Sequence, residues 1–231
     1  MPPDLTTTSE PMSPPRVILF DWDNTLVDSW GCIQAATNAT LRAMGHEPWD
    51  MEETKDRVAL SLRDSFPVLF GERWTEARDI FYAEFAAIHL DYLCPLPGVE
   101  AMLDALIGMG LRLGVVSNKN GAFLRQEIDH LGWGGRFDKA VGATDASADK
   151  PDPAAVALAL TPMKCAPGPA VWLAGDAEVD MQGAIAAGCV PVLLRKEPPR
   201  NGEFDRFPPK FRFSSCDDFV QEIRELVIPM T

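Results

Sequence analysis

Asp21 and Asp23 stand two residues apart, directly after the apolar run Val17-Ile18-Leu19-Phe20. In a locally extended chain, side chains two apart share a face, so both carboxylates would point into one crevice. Close carboxylates repel, and one of them tends to keep a proton near neutral pH. Identical residue types then supply an ionised nucleophile, Asp21, and an acid, Asp23. Other polar groups follow other apolar runs in the same way. Ser117-Asn118-Lys119 follows the run 113–116, Asp149-Lys150-Pro151 lies just beyond 140–142, and Gly175-Asp176 with Asp180 follows 171–174. Asp176 adds a third oxygen donor, and a hard ion such as Mg²⁺ suits carboxylates combined with a phosphate. Lys150 offers a fixed positive charge, and Ser117 a neutral hydroxyl for a non-bridging oxygen. Such a set fits a transferring phosphoryl group, where positioning and electrostatics dominate.

Each residue also has a plainer reading. Asp21 and Asp23 alone would pass for turn formers after a strand, and Ser117 alone for a helix N-cap; their convergence with Lys150 and Asp176 outweighs both. A calcium-loop reading of Asp21-x-Asp23 fails, because Leu26 replaces the required glycine and Cys32 the bidentate glutamate. Gly108-Met109-Gly110 precedes a strand instead of following one, which excludes a dinucleotide loop. Lys119 either reaches the substrate or helps fix the motif, or else is a solvated loop lysine. Arg57 and Arg63 are candidates to clamp a substrate carboxylate, or else members of surface salt bridges. His46 is expected in an exposed loop, His89 on a helix surface, and Trp49 and Trp74 as packing anchors.

The elements that must position these groups are legible in the hydrophobic pattern. Short apolar runs at 17–20, 113–116, 140–142, 171–174 and 190–194, with a weaker one at 211–213, suit buried parallel strands. Val99, Met102, Leu103 and Leu106 follow helical spacing, as do Phe123, Leu124, Ile128 and Leu131. Asp152-Pro153 reads as a helix start, with Asp as N-cap and Pro in the first turn. Strands alternating with helices predict an α/β fold with a doubly wound, Rossmann-like parallel sheet. In such sheets ligands bind beyond the carboxyl ends of the strands, where the polar groups above fall. The alternation breaks over about 60 residues. Ile33, Ala36, Thr40, Leu41 and Met44, then Leu62, Phe66, Leu69 and Phe70, then Ala77, Ile80, Phe81, Phe85 and Ile88 each fit an amphipathic helix. Asp50 with Glu53 resembles a capping box. We read an inserted α-helical cap at 30–94, a core at 16–29 and 95–231, and a disordered lead-in at 1–15. Pro95-Leu-Pro-Gly98 is expected to be the return hinge.

The composition is that of a globular chain, with 46% hydrophobic and 24% charged residues in 231. A net charge of −13 argues against nucleic acid or an anionic membrane as partner, and no run approaches the ~18–20 apolar residues of a membrane span. The cap contributes to that charge, with six basic and eleven acidic residues between Ser29 and Leu96. An anionic substrate is still compatible, because a bound Mg²⁺ with Lys150 nearly cancels the crevice carboxylates. Five widely spaced cysteines without a C-x-x-C pair predict buried or inert thiols in a reducing, cytoplasmic setting. The first fifteen residues, with five prolines and no apolar stretch, do not resemble a signal peptide.

Asp21-x-Asp23-x-Thr25, Ser117, Lys150-Pro151 and Gly175-Asp176-x-x-x-Asp180 resemble, in order, the four motifs of the haloacid dehalogenase-like hydrolases, from Val17 to about Leu226. The helical insertion resembles that family's cap. Asp28-Ser29, Asn38, Leu41, Gly45 and Pro97-Gly98-Val99 resemble its phosphoglycolate phosphatase branch. The resemblance implies two-step phosphomonoester hydrolysis. Asp21 would form an aspartyl-phosphate; Asp23 would protonate the leaving oxygen and then activate water. It implies Mg²⁺ held by Asp21, the Asp23 backbone carbonyl and Asp176, with Asp180 orienting a metal-bound water or Lys150. Thr25, Asn118, Lys119 and, from the cap, Arg63 are the candidate substrate contacts. It also implies a sheet of order 5-4-1-2-3, sometimes with a sixth strand. Asn24 stands where glycine is common, Ala177 where a hydroxyl is frequent, and Trp22 resembles phosphonate-cleaving relatives, which lack an aspartate at position 23. The expected activity is Mg²⁺-dependent hydrolysis of a small phosphorylated metabolite, first 2-phosphoglycolate, by a monomer or homodimer. Alternatives are a sugar-phosphate, nucleotide or pyrophosphate phosphatase, a phosphosugar mutase, or a non-catalytic binding protein.

Overall fold

A computed structural model describes residues 14–58 and 62–227, without the side chains of residues 63 and 64. Most of the expected lead-in, and the side chain of Arg63, therefore lie outside the described residues. The central strand β1 (Val17–Phe20) is buried along its whole length because it has packing on both faces. Ile18 and Phe20 belong to one apolar cluster, Val17 and Leu19 to the other, as the period of two in a strand requires. Each such side chain contributes roughly 1.5–3 kcal/mol by burial.

Around β1 lie β4 (Arg112–Asn120), β5 (Lys139–Ala143), β6 (Val171–Gly175), β7 (Val190–Leu194) and β8 (Phe211–Phe213). All neighbours are parallel, in the order β5-β4-β1-β6-β7-β8. Counting only these strands, that is the expected 5-4-1-2-3 order with a sixth strand beside the fifth. Helices α5 (Val99–Gly108), α6 (Gly121–His130) and α9 (Cys216–Val227) cover one face through Leu103, Leu124 and Phe219. Helices α7 (Ala154–Leu160) and α8 (Glu178–Ala186) cover the other through Val156 and Ala184. Helix α7 begins one residue later than the Asp152-Pro153 signal suggested. Pro153 is its N-cap, yet the Asp152 carboxylate still accepts the Ala154 N–H at 2.9 Å.

The only regular elements among the described residues of the insertion are helical: α1 (Trp30–Ala43), α2 (Met51–Arg57), α3 (Leu62–Phe70) and α4 (Trp74–Tyr92), with one short 3₁₀ turn at Gly71–Arg73. Leu41, Met44, Phe66, Phe70 and Ala77 form its own small core, against which Trp49 and Trp74 pack as anchors. The Asp50–Glu53 capping box is present at the start of α2. The chain enters and leaves the cap through two short strands, β2 (Val27–Asp28) and β3 (Cys94–Pro95), paired antiparallel. Two-residue strands carry no periodicity, so the sequence pattern showed only the Pro-Gly part of this hinge.

Of the thiols, Cys32, Cys189 and Cys216 are buried, Cys165 is half-buried and Cys94 is exposed on β3. Among the described residues no helix is long and apolar enough to cross a membrane.

Candidate active site

The chain crosses from β1 to β4 on one side, and β6 lies on the other, so Asp21 sits at the point where the sheet order reverses. This is where parallel α/β sheets place ligands. The Asp21 N–H extends the strand by donating to the Ala174 carbonyl at 2.8 Å, which fixes the side chain beside the tip of β6. The chain then turns at once. Asn24 adopts φ +63°, and its side-chain oxygen accepts the Ser29 N–H at 3.2 Å. Asparagine thus fills the glycine position, as its tolerance of positive φ allows.

Four acidic and basic groups meet at this point. Lys150 Nζ donates to Asp21 Oδ1 and to Asp180 Oδ1, each at 2.6 Å, with all three residues buried. Lys150 is itself held by Asn118, whose amide donates to the Lys150 carbonyl at 3.0 Å and accepts its N–H at 2.9 Å. The Lys150–Pro151 peptide is cis. Asp180 spends its other oxygen on the Ala177 N–H at 3.1 Å. Thr25 Oγ1 donates to Asp176 Oδ1 at 3.4 Å. The backbone of Asp176 is braced by Arg195, whose Nη1 donates to its carbonyl at 2.8 Å while the same guanidinium forks onto Glu203 at 2.7 and 2.6 Å.

The electrostatics follow from burial. Removal from water pushes Asp21 up to about 6; Lys150 pulls the other way, and Asp180 and Asp23 push further up. Asp176 is raised well above its ordinary range by burial and then by Asp180 and Asp21. For Lys150 burial works against the charge, but Asp180 and Asp21 outweigh it and raise the pKa. Ligand atoms of Asp21, Asp176 and Asp180 lie within 4.8 Å of one another. Once ionised, three carboxylates facing one ammonium leave two negative charges, which a divalent, oxygen-seeking cation would neutralise. The donor set therefore fits Mg²⁺.

Asp23 belongs to a second constellation. Its Oδ1 accepts from Lys119 Nζ at 2.5 Å and from the Ser29 hydroxyl. Lys119 is 5% exposed, also donates to Glu127 Oε2 at 2.8 Å, and lies over the Phe85 ring. Burial opposes its charge, yet Asp23 and Glu127 raise its pKa above the ordinary range.

The structure thus brings Asp21, Asp23, Ser117, Lys119, Lys150, Asp176 and Asp180 to one end of the sheet. Ser117 is buried there and its Oγ accepts the Lys119 N–H at 3.2 Å. It gives three of the expected substrate contacts other partners: Asn118 holds Lys150, Thr25 holds Asp176, and Lys119 is neither solvated nor free. Arg57 lies on the cap surface, 3.4 Å from Glu53 and over the Trp49 ring, so the surface reading applies to it. His46 is exposed, as expected. His89 is corrected: it is 3% exposed and bonded to Glu127. Glu127 was not anticipated, although the signal was present. It sits four residues after Phe123 and four before Leu131, on the apolar face of α6, where a carboxylate needs partners. His89 likewise follows Phe85 by four residues.

The family model described as haloacid dehalogenase-like hydrolase matches residues 18–193. A phosphoglycolate phosphatase of Cereibacter sphaeroides is 32% identical over 91% of this chain and 98% of its own length. A phosphoglycolate phosphatase of Xylella fastidiosa is 32% identical over 75% of this chain and 77% of its own. Among solved structures, a predicted phosphatase from Clostridium acetobutylicum superposes with a TM-score of 0.82, at 24% identity, over 93% of this chain and all of that one. The chain belongs to the haloacid dehalogenase-like hydrolases.

Proposed function

We propose that this phosphatase hydrolyses a small phosphorylated metabolite, with 2-phosphoglycolate the first candidate, in a Mg²⁺-dependent reaction through an aspartyl-phosphate on Asp21. One observation carries the reading: two aspartates two residues apart are each held by a different buried lysine, Asp21 by Lys150 and Asp23 by Lys119. Separate partners suit separate roles. Asp21, at the strand tip, is placed to attack phosphorus, and Lys150 holds its Oδ1 and offers positive charge to the phosphoryl oxygens. Ser117 adds a hydroxyl donor beside it. Asp23 protonates the leaving oxygen and later takes a proton from water.

Asp21, the Asp23 carbonyl and Asp176 would hold Mg²⁺, with Asp180 fixing Lys150. The ion would supply electrostatic stabilisation of charge on the phosphoryl oxygens. The substrate proposal is supported by the names of the relatives and by the cap, whose α4 packs on α6 through Phe85 and Phe123 at 5.2 Å between ring centroids. A cap seated in this way favours small molecules over polymers.

The test is phosphate release from a panel of phosphorylated metabolites with Mg²⁺, ranked by kcat/KM. Phosphoglycolate is expected to lead. A low rank for it would refute the substrate assignment, and no release from any member would refute the phosphatase reading.

A further inference from the structure

Glu127 is 1% exposed and accepts hydrogen bonds from three elements. Trp22 Nε1 donates to its Oε2 at 2.6 Å, Lys119 Nζ to the same oxygen at 2.8 Å, and His89 Nδ1 to Oε1 at 2.9 Å. Trp22 is the residue between Asp21 and Asp23, Lys119 is the ammonium on Asp23, and His89 comes from cap helix α4. One buried carboxylate therefore ties down the backbone segment that carries both aspartates, the cation that grips the second of them, and the cap.

A long lysine side chain has several rotatable bonds, and one contact does not fix it; two acceptors from different elements restrict it further. With Lys119 and Ser29 both on Oδ1 of Asp23, the other oxygen takes no hydrogen bond among the described residues and is left for proton transfer. The ring of His89 stacks on Phe85 at 5.2 Å between centroids, so the cap side of the network is held by packing as well. The same neighbourhood leaves only a small, partly open cleft of about 10 Å³, lined by Ser29, Phe85, His89, Lys119 and Glu127 among others. The network is packed instead of bathed.

We propose that Glu127, completed by the cap-borne His89, is a positioning residue for the acid–base group: it fixes Lys119 and Trp22 so that Asp23 is correctly aimed when the cap is seated. The proposal rests on the phosphatase reading above, with Asp23 as leaving-group acid. It predicts a defect confined to the step that needs the proton. An alkyl phosphate has a poor leaving group and depends on protonation, whereas p-nitrophenolate departs without it.

The experiment compares kcat/KM, which isolates the leaving-group step, for p-nitrophenyl phosphate and for ethyl phosphate in Asp23→Asn, Glu127→Gln and His89→Phe. Glu127→Gln keeps the shape and removes the charge that holds Lys119; His89→Phe keeps the aromatic packing and removes the donor. Both should follow Asp23→Asn in direction. We expect about 10²-fold loss on ethyl phosphate for Glu127→Gln and about tenfold for His89→Phe, with p-nitrophenyl phosphate changed less than about threefold. Equal losses on the two esters, or no loss, would overturn the proposal. If Glu127→Gln does not fold, His89→Phe decides. If wild type cleaves neither ester, or Asp23→Asn shows no leaving-group dependence, the underlying reading fails instead.

Discussion

Replacing Gly175 with alanine should disarm the site without changing a charged group. Gly175 ends β6 immediately before Asp176, and Asp180 folds back across it. A Cβ built at Gly175 would lie 2.5 Å from the Asp180 Cβ and closer still to its carboxyl carbon and Oδ2. Carbon atoms rest at about 3.5–4.0 Å, so the two residues must part by at least about 1 Å. The neighbour is a side chain fixed at both oxygens, to Lys150 and to the Ala177 N–H, so it does not yield freely. Misplacement by about 1 Å is worth about 10²-fold in rate, and overpacking costs about 1–3 kcal/mol of stability. Gly175→Ala should therefore lower kcat on p-nitrophenyl phosphate about 100-fold and lower Tm by several degrees. Gly108→Ala is the control. Nothing lies within 4 Å of a Cβ there, at the end of α5, so activity should be unchanged and stability equal or up to about 1 kcal/mol higher. A Gly175→Ala enzyme within about threefold of wild type, with unchanged Tm, would refute the claim that Asp180 must sit against this backbone.

Three further outcomes follow from the same geometry. Asp21 titrates near 3.8 in an unfolded chain and about 6 here, so the metal-free fold holds a proton that the unfolded chain has released between those values. It loses stability as pH rises through that window, and Mg²⁺ should raise Tm more at pH 7.5 than at pH 5; equal shifts in differential scanning fluorimetry would contradict this. In timed alkylation followed by mass spectrometry, exposed Cys94 should label first. Cys32, which burial pushes up to about 12, and Cys216, pushed up to about 11 by burial, should label only on unfolding. Arg195→Lys keeps the charge but loses the fork that joins Glu203 to the Asp176 carbonyl. The Mg²⁺ concentration for half-maximal activity should rise about tenfold, and an unchanged requirement would show that the brace does not matter.

The strands and the residues at their tips were legible because both follow from local pattern. Four-residue apolar runs buried on two faces end where polar ligand groups begin, and Val17–Phe20 followed by Asp21 is the clearest case. The division of labour inside the site was not legible, since it depends on partners far apart in sequence. Nothing near Asn118 shows that its amide serves the backbone of Lys150. Nothing near Lys119 shows that Glu127 and Asp23 share its ammonium. The charged, Pro-rich stretch 197–210 carries no functional signal in the sequence alone. In the structure its Glu203 anchors Arg195, Phe204 packs on Met181 and Leu193, and Arg200 pairs with Asp56 of the cap. A polar helix position reads as solvent-facing until the apolar neighbours on its own face are counted; that is how Glu127 and His89 escaped.

The central claim is that Asp21 is the nucleophile of a Mg²⁺-dependent phosphatase. Its most direct test is phosphate release from p-nitrophenyl phosphate by wild type and Asp21→Asn, each with Mg²⁺ and with excess chelator. Wild type should release phosphate only with Mg²⁺, and Asp21→Asn should stay at background under both conditions while still folded. Comparable turnover by Asp21→Asn, or wild-type turnover that ignores the metal, would contradict it.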